Sequence, residues 1–190
     1  MYNIVNMMIT YDSTRAVTVT RKSDREYWIK MYCLETAEQT FEEKVGGQET
    51  DYIKLKDVEQ SLSGQRFAVV YNNDGVFYLR TFGRITREDV DIQVDEVDLN
   101  AIAGLDDHTM CVDSFPDPYA VCCFITDELV FVSVFHNPTL THCHFVWDSR
   151  SRKVVGEVCK RTIGRSQRNF PYKAFYNDEK HEVYVFYRQG

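Results

Sequence analysis

Residues Leu129 to Val158, LVFVSVFHNPTLTHCHFVWDSRSRKVVGEV, decide the fold class of this chain. Leu129 to Phe135 is a run of β-branched and aromatic residues, which favour strands. Asn137-Pro138 ends that run because proline cannot donate to a sheet ladder. Apolar and polar residues then alternate from Thr141 to Trp147, and after a polar turn Lys153 to Val158 is extended again. The stretch predicts a three-stranded antiparallel meander with one mostly apolar face.

The end of this meander carries a family resemblance. Phe145-Val146-Trp147-Asp148, a basic turn and Val154-Val155-Gly156 together resemble the third strand, turn and outer strand of a blade in the Trp-Asp-repeat propeller family. The resemblance covers about one blade and implies a propeller-like fold. An internal similarity supports repeats, since Tyr32 takes the position of Trp147 and Cys33 that of Asp148 in an earlier strand and turn.

The other strands follow the same pattern along the chain. Asn72 to Gly75 (NNDG) is a hairpin signal between two apolar runs, and the segment from Val97 to Met110 is expected to be a short helix or loop. We predict a single all-β domain, 1–190, of antiparallel four-stranded meanders, a partial β-propeller, with a β-sandwich or barrel as the alternative. Its approximate units are 4–50, 51–100, 118–160 and 170–190.

The last of these units is only a hairpin, so the repeat series is incomplete. Propeller blades are about 40 to 45 residues long, and 190 residues hold four at most. The expected closing element is therefore the chain's own N-terminal strand at Asn6 to Thr10, a second copy, or a partner protein.

Composition narrows the class of protein further. The chain has 44% hydrophobic and 14% aromatic residues, typical of a folded globular protein. It has no apolar run approaching the ~18 residues of a membrane span and no secretory signal. We therefore expect a cytoplasmic protein without a membrane partner. The six cysteines show no C-x-x-C spacing and are expected to be reduced, buried thiols.

The charges are unevenly distributed. Acidic residues dominate between positions 88 and 107, and basic residues between 150 and 173. We interpret the acids as the solvated face of an edge strand. The bases from Lys160 to Asn169 are interpreted as a solvated loop, with a loop that docks an acidic protein surface as the alternative. The net charge of −7 argues against nucleic acid as the partner. The residues expected to steer a partner are Asp89, Asp91, Asp95, Arg150, Arg152, Lys160, Arg161, Arg165 and Arg168.

No group of residues predicts a catalytic or metal site. His142 and His144 share one face of a strand, a spacing that metal sites use, but with no fourth ligand at a diagnostic distance we interpret them and His136 as surface histidines. Nucleotide, hydrolase and zinc motifs are absent. We predict a non-catalytic interaction or scaffold module without cofactor or metal, working with another protein or a second copy. The alternative is a β-fold enzyme or ligand-binding barrel with an aromatic-lined pocket.

Overall fold

The computed structural model describes residues 3–10, 12–23, 26–45, 53–73, 76–83, 93–104, 119–136, 139–164 and 169–189. Within these residues the chain forms fourteen strands and one short helix. The strands are β1 (Asn3–Ile9), β2 (Arg15–Ser23), β3 (Glu26–Cys33), β4 (Gln39–Val45), β5 (Ile53–Gln60), β6 (Phe67–Asn73), β7 (Val76–Gly83), β8 (Gln93–Asp98), β9 (Tyr119–Phe124), β10 (Leu129–His136), β11 (Thr141–Asp148), β12 (Lys153–Thr162), β13 (Asn169–Asn177) and β14 (Glu182–Gln189). The helix is α1 (Leu99–Ala103).

The described strands form four antiparallel sheets, each a simple meander in chain order. β1 to β4 form the first sheet, β5 to β8 the second and β9 to β12 the third, while β13 and β14 form a two-stranded C-terminal hairpin. Every pairing between sequential strands in these sheets is antiparallel. The predicted all-β fold of four-stranded meanders ending in a hairpin is confirmed.

The sheets are stacked face to face, and strand alternation divides each central strand between two cores. In β6, Phe67, Val69 and Tyr71 pack with residues of the first sheet. Their neighbours Ala68 and Val70 pack with residues of the third sheet. A strand with two buried faces is apolar at consecutive positions instead of alternating, which is why this segment reads FAVVY.

The third sheet is buried on both faces in the same way. Phe145 and Trp147 of β11 lie in the core shared with the second sheet. Val121 and Cys123 of β9 pack instead against Ala174 of the hairpin. The expectation that the meander of β10 to β12 has one mostly apolar face is therefore wrong, because the hairpin covers the second face.

Helix α1 closes the second sheet and lies within the predicted segment. The Asp98 side chain accepts a hydrogen bond from Ala101 N and forms the N-cap, and Gly104 ends the helix with a left-handed φ of 58°. Leu99 and Ala103 are fully buried in the core between the second and third sheets. This turn of helix adds apolar contacts to a core otherwise made by strands.

One turn recurs after several strands. Asp148, the last residue of β11, accepts hydrogen bonds from the backbone N–H groups of Arg150 and Ser151. At the end of β3, Thr36 and the backbone of Glu35, three and two positions on, lower the pKa of the Cys33 thiol. In both turns the residue four positions after the strand end is non-glycine with positive φ, Ala37 at 58° and Arg152 at 56°. The equivalence of Cys33 with Asp148 thus has a structural basis.

Two further expectations are corrected by the pairing of strands. β12 continues to Thr162, opposite Thr141, so Lys160 and Arg161 lie on a strand and not in a loop. The N-terminal strand β1 pairs with β2 in the first sheet. It therefore does not close the hairpin, which has only two strands among the described residues.

Candidate interaction surfaces

An aromatic residue marks the direction in which the sheets stack. Tyr32, Phe82 and Trp147 each stand one residue before the end of the third strand of their sheet. Phe82 packs in the core with the first sheet, and Trp147 in the core with the second. Each of these two rings therefore faces the preceding sheet.

The equivalent ring of the first sheet has no preceding sheet in this chain. Met31, the neighbour of Tyr32 in β3, packs towards the second sheet. Because successive side chains alternate, Tyr32 lies on the opposite, outer face, where it is half-buried. Phe82 and Trp147 fill the space between two sheets, whereas Tyr32, at the equivalent position of the first sheet, lies at the end of the stack.

The outer face of the first sheet is apolar along its first strand. Met8 packs in the core, so Met7 and Ile9 point outward, and Ile4 lies opposite Thr20 on the same face. These three side chains are 63%, 60% and 50% exposed for Ile4, Met7 and Ile9 respectively. Together with Trp28 and Tyr32 of β3 they form what we call the first-sheet face.

Charged groups on the first-sheet face are paired with one another. Lys30 Nζ lies 2.8 Å from the carboxylate of Glu42 on the adjacent strand. Glu26 accepts a hydrogen bond of 2.8 Å from the indole N–H of Trp28 and lies 3.2 Å from Lys22 Nζ. These contacts hold the pKa of both carboxyl groups below the usual value. The main cause is the Trp28 hydrogen bond for Glu26 and the Lys30 hydrogen bond for Glu42. Lys44, opposite Trp28 in the strand register, adds a further positive charge near Glu26.

The opposite end of the stack is aromatic. In the hairpin, Ala174 and Val185 pack towards the third sheet, so Phe175, Tyr184 and Phe186 point away from it. The Phe175 ring is stacked on Tyr184 with a centroid distance of 5.1 Å and on Phe186 at 5.6 Å. Tyr172 adds a tilted contact with Phe186 at 6.2 Å. These four rings form what we call the hairpin face.

The hairpin face is open to solvent in this structure. Tyr172, Phe175 and Phe186 are 55%, 41% and 44% exposed. Of the eleven large apolar side chains that are exposed among the described residues, eight lie on β1 or on the hairpin. Exposed apolar surface is therefore concentrated at the two ends of the stack. The sequence signal for it was present in AFY and EVYVFY, which are apolar on both faces.

The inner side of the hairpin is anchored by histidines, contrary to expectation. His142 and His136 are 5% and 7% exposed, and His144 is half-buried. The Tyr187 ring packs edge-on against His142 at 5.3 Å, and its hydroxyl lies 3.4 Å from His144 Nε2. The interpretation as surface histidines is wrong. The hairpin covers the face of β11 that carries His142 and His144, whereas His136, opposite Thr141 in the register, lies on the other face of the third sheet and is buried there.

Burial changes the protonation of these histidines. Desolvation lowers the pKa of His142 to about 4, with His144 and Arg161 adding to the effect. Desolvation also lowers the pKa of His144. The Nδ1 atoms of both rings are buried without a hydrogen-bond partner in the described structure. Both rings are therefore neutral near pH 7.

The residues predicted to steer a partner fall into three groups. Asp95 of β8 pairs with Arg152 of the next sheet, so part of the acidic–basic complementarity acts within the chain. Arg150 is exposed beside Glu128 at 3.9 Å, and Lys160 and Arg161 are exposed on β12. Asp89, Asp91, Arg165 and Arg168 lie outside the described residues. Their role as an interaction site stays a prediction.

The first strands of the second sheet, the third sheet and the hairpin are joined by one largely buried carboxylate, that of Asp57. Asp57, at a bulge in β5, accepts a hydrogen bond of 3.0 Å from the Cys122 N–H of β9. Lys173 Nζ of β13 lies 3.8 Å from Asp57 and pairs with Glu59. Desolvation raises the pKa of Asp57, and the Lys173 charge acts against that rise. This cluster ties the second sheet to the hairpin across the third.

No catalytic or metal centre emerges from the described residues. They include no group of three or more His, Cys, Asp or Glu that could hold a metal ion. Among the described residues, a cleft beside the first sheet is lined by Ser13, Thr14, Arg15, Cys33, Leu34 and Glu35, none of them aromatic. Within the part of the chain that the structure describes, no helix is both long and apolar enough to span a bilayer.

Comparison with known proteins shows the fold but not a family. No family model and no curated protein sequence matches the chain. Among solved structures, it is similar to the β-propeller domain of Cps50 (Swd1) from Myceliophteria thermophila, at 15% identity and a TM-score of 0.55 over 93% of this chain and 45% of that one. It is also similar to the Dos1 propeller, at 11% identity and a TM-score of 0.52 over 87% and 37%.

A third similar structure is an enzyme. The periplasmic gluconolactonase PpgL of Pseudomonas aeruginosa matches at 12% identity and a TM-score of 0.51, over 84% of this chain and 39% of that one. At these identities the likeness shows the fold alone, which is a partial β-propeller. The chain spans less than half the length of each of these three similar structures.

Proposed function

We propose that this chain is a non-catalytic interaction module of the Trp-Asp-repeat type, working as a scaffold within a larger cytoplasmic complex. The observation that carries the proposal is the segregation of exposed apolar side chains to the first-sheet face and the hairpin face. Contiguous exposed apolar patches mark interaction sites.

Neither the first-sheet face nor the hairpin face resembles an ordinary solvated sheet surface. Within the chain, faces of this kind are covered by an adjacent sheet, as the faces that carry Phe82 and Trp147 are covered by the preceding one. Covering a Phe side chain that is exposed in the isolated chain contributes up to about 1.5 to 3 kcal/mol. A partner that covers both faces therefore gains the contacts that stabilise the interior of the stack.

A further docking element is the free edge of the hairpin. β14 pairs with β13 and with no other strand among the described residues. Its outer backbone N–H and C=O groups are available to an added strand. The exposed bases Arg150, Lys160 and Arg161 on the third sheet supply steering towards an acidic partner.

The test is recovery of the tagged chain in a stoichiometric complex, analysed by light scattering coupled to gel filtration. The wild-type chain is expected in a complex, with itself or with another protein. A variant with Phe175→Ser and Phe186→Ser should lose that complex while keeping its far-UV circular dichroism. Leu62→Ser, an exposed leucine in a turn away from both faces, is the matched control and should behave as wild type.

A wild-type chain that stays monomeric and has no stoichiometric partner would contradict the proposal. The proposal would also be contradicted if the complex formed in full both with the hairpin-face variant and with a variant substituted at Met7 and Ile9.

A further inference from the structure

We infer that the partner of the two open faces is a second copy of this chain, joined head to tail so that the hairpin face of each copy packs on the first-sheet face of the other. The two copies then close a ring of stacked sheets about a twofold axis. This inference rests on the proposed function and names the partner.

The sheets stack in one direction along the chain. At each contact, the face of one sheet that is turned towards the following sheet packs on the face of that following sheet that is turned towards the preceding one. Phe82 and Trp147 lie on faces turned towards the preceding sheet and are covered. Among the described sheets, Tyr32 lies on the one face turned towards a preceding sheet that is left uncovered, the first-sheet face. Phe175 and Phe186 lie on the one face of these sheets turned towards a following sheet that is left uncovered, the hairpin face. Joining these two repeats the arrangement already present between the other sheets.

The side chains on the two open faces are chemically compatible with each other. The hairpin face presents four aromatic rings. Glu182 borders them and accepts a hydrogen bond of 2.6 Å from the Tyr184 hydroxyl, and Lys173, opposite Phe186 in the strand register, pairs with Glu59. The first-sheet face presents aliphatic side chains on β1 beside Trp28 and Tyr32, with Lys30 already paired to Glu42. Rings packed on aliphatic and aromatic side chains with balanced charge give a favourable apolar contact. Two hairpin faces brought together would instead leave both first-sheet faces exposed.

The number of sheets in two copies is suitable for a closed ring. Each copy contributes three four-stranded sheets and one hairpin to the ring, and two copies together supply eight sheets. Propellers close with roughly four to eight blades.

The area is sufficient for association. A face two strands wide and eight residues long covers roughly 250 Å², from a strand spacing of about 4.8 Å and a rise of about 3.3 Å. A twofold ring contains two such contacts and so four faces, on the order of 1,000 Å² in total, which is the size at which specific interfaces begin. One chain does not close on itself, since Met7 and Phe186 are both exposed in the same structure.

The experiment is light scattering on the purified full chain alone, at several concentrations. The expected mass is twice the 22.3 kDa of one chain. Substitution of the hairpin face (Phe175→Ser with Phe186→Ser) or of the first-sheet face (Met7→Ser with Ile9→Ser) should each give a monomer, because each variant alters both contacts of its own ring. Leu62→Ser should stay dimeric.

Mixing the two variants identifies the head-to-tail arrangement. In a mixed pair, the intact hairpin face of one copy meets the intact first-sheet face of the other, so one of the two contacts is restored. The mixture is expected to regain dimers, at a Kd at least tenfold weaker than that of the wild-type chain. A contact between two identical faces would give no recovery, and one of the two variants alone would remain dimeric.

Three results would overturn the inference. They are a monomeric wild-type chain, a polymer longer than two copies, and a dimer that fails the mixing test. A monomer that still forms a stoichiometric complex with another protein, lost on substitution of the hairpin face, refutes the second copy as partner but leaves the proposed function intact.

Discussion

At the scale of single residues, His142 couples the packing of the hairpin to pH. Its ring contacts Phe135 of β10, His144 of its own strand and Tyr187 of β14. Arg161 on β12 is the charged group that acts on it. A buried neutral imidazole bordered by a cation resists protonation.

We predict that acid destabilises the chain through His142. Its pKa is about 4 when folded, against 6.5 for an unperturbed histidine. Between these values the unfolded chain binds the proton and the folded chain does not, so the free energy of unfolding falls as pH falls below 6.5. Between pH 6.5 and 5 the loss is about 2 kcal/mol at 1.36 kcal/mol for each pH unit.

Thermal unfolding across this range measures the effect. His142→Phe should flatten the pH dependence, since phenylalanine fits the aromatic surroundings and does not titrate. His181→Gln, at an exposed histidine in the hairpin turn, should retain the wild-type slope. Equal slopes for wild type and His142→Phe would contradict the prediction.

The cysteines should divide into two classes of reactivity. Hydrogen bonds from Thr36, with its hydroxyl as the main contributor, lower the pKa of Cys33, and Cys159 is exposed. Burial raises the pKa of Cys122 and Cys143, and raises that of Cys123 to about 12. Because the thiolate is the reactive form, a disulfide reagent at pH 7 should label Cys33 and Cys159 first and the three buried thiols only after unfolding.

Mass spectrometry of peptides from the labelled native chain locates the modified thiols. The comparison variant is Cys33→Ser, which should remove the fastest phase and leave the others unchanged. Rapid native labelling of Cys122 or Cys143 would show that the core between the second and third sheets opens readily. Cys111 lies outside the described residues.

At the scale of elements, the third strands of the second and third sheets carry an aromatic residue, Phe82 and Trp147, that packs against the preceding sheet. Phe82 is fully buried, stacked on Phe67 at 4.4 Å and edge-on to Phe41 at 6.4 Å. Arg80 lies over the same ring at 5.5 Å and bonds to the Lys44 carbonyl of the first sheet at 2.8 Å. The strand thus joins two sheets through one ring and one guanidinium.

We predict unequal costs for truncating equivalent aromatic residues. Phe82→Ala should lower the free energy of unfolding by about 3 to 5 kcal/mol, because it opens a cavity between two sheets. Tyr32→Ala should cost about 1 kcal/mol or less in a monomeric chain, since no sheet covers it there. Urea unfolding in a background carrying Phe175→Ser and Phe186→Ser, which prevents self-association, separates the two. Equal losses would contradict the assigned stacking direction.

At the scale of the whole molecule, the inner strands are held together by a charge cluster. Removing the Lys173 ammonium leaves the Asp57 carboxylate nearly buried without its cation. Breaking one partner of a buried pair is costly, and partial exposure of Lys173 reduces the effect to about 1 to 2 kcal/mol. We predict that Lys173→Met destabilises the chain by this amount at pH 7, whereas Lys180→Met, in the exposed hairpin turn, does not.

The pH dependence of this deficit has a definite sign. Desolvation raises the pKa of Asp57 above its usual value, so the carboxyl group becomes neutral as pH falls towards and below that pKa. A neutral carboxyl group does not need the Lys173 charge. The difference between wild type and Lys173→Met in chemical unfolding should shrink at acid pH, and a constant difference would assign the cost to lost side-chain packing.

Assembly should be resistant to salt. The two open faces are mainly apolar, and charges such as Lys30 and Glu42 are paired within one copy. At 1 M salt the Debye length is about 3 Å, which screens steering by Arg150 and Lys160 but not apolar contact. We predict that the complex weakens and persists in 1 M NaCl, as measured by sedimentation. Complete dissociation would show that ion pairs between copies hold it together.

The sequence by itself determined the strands and their grouping into meanders. β-branched and aromatic runs separated by turn residues report local backbone preference, so three four-stranded meanders and a final hairpin could be read from them. The equivalence of Tyr32 with Trp147 was also visible, because both rings stand at the same point before a turn. Turn chemistry of this kind acts within a few residues.

Only the tertiary structure decided which faces are buried. The same alternating β11 can have one solvated face or two buried ones, depending on whether the hairpin lies over it. That contact joins residues far apart in sequence, and it turned His142 from an expected surface residue into a buried one. It likewise left Phe175 and Phe186 exposed, although their composition resembles that of a core strand, because burial depends on the next sheet in the stack and not on the strand itself.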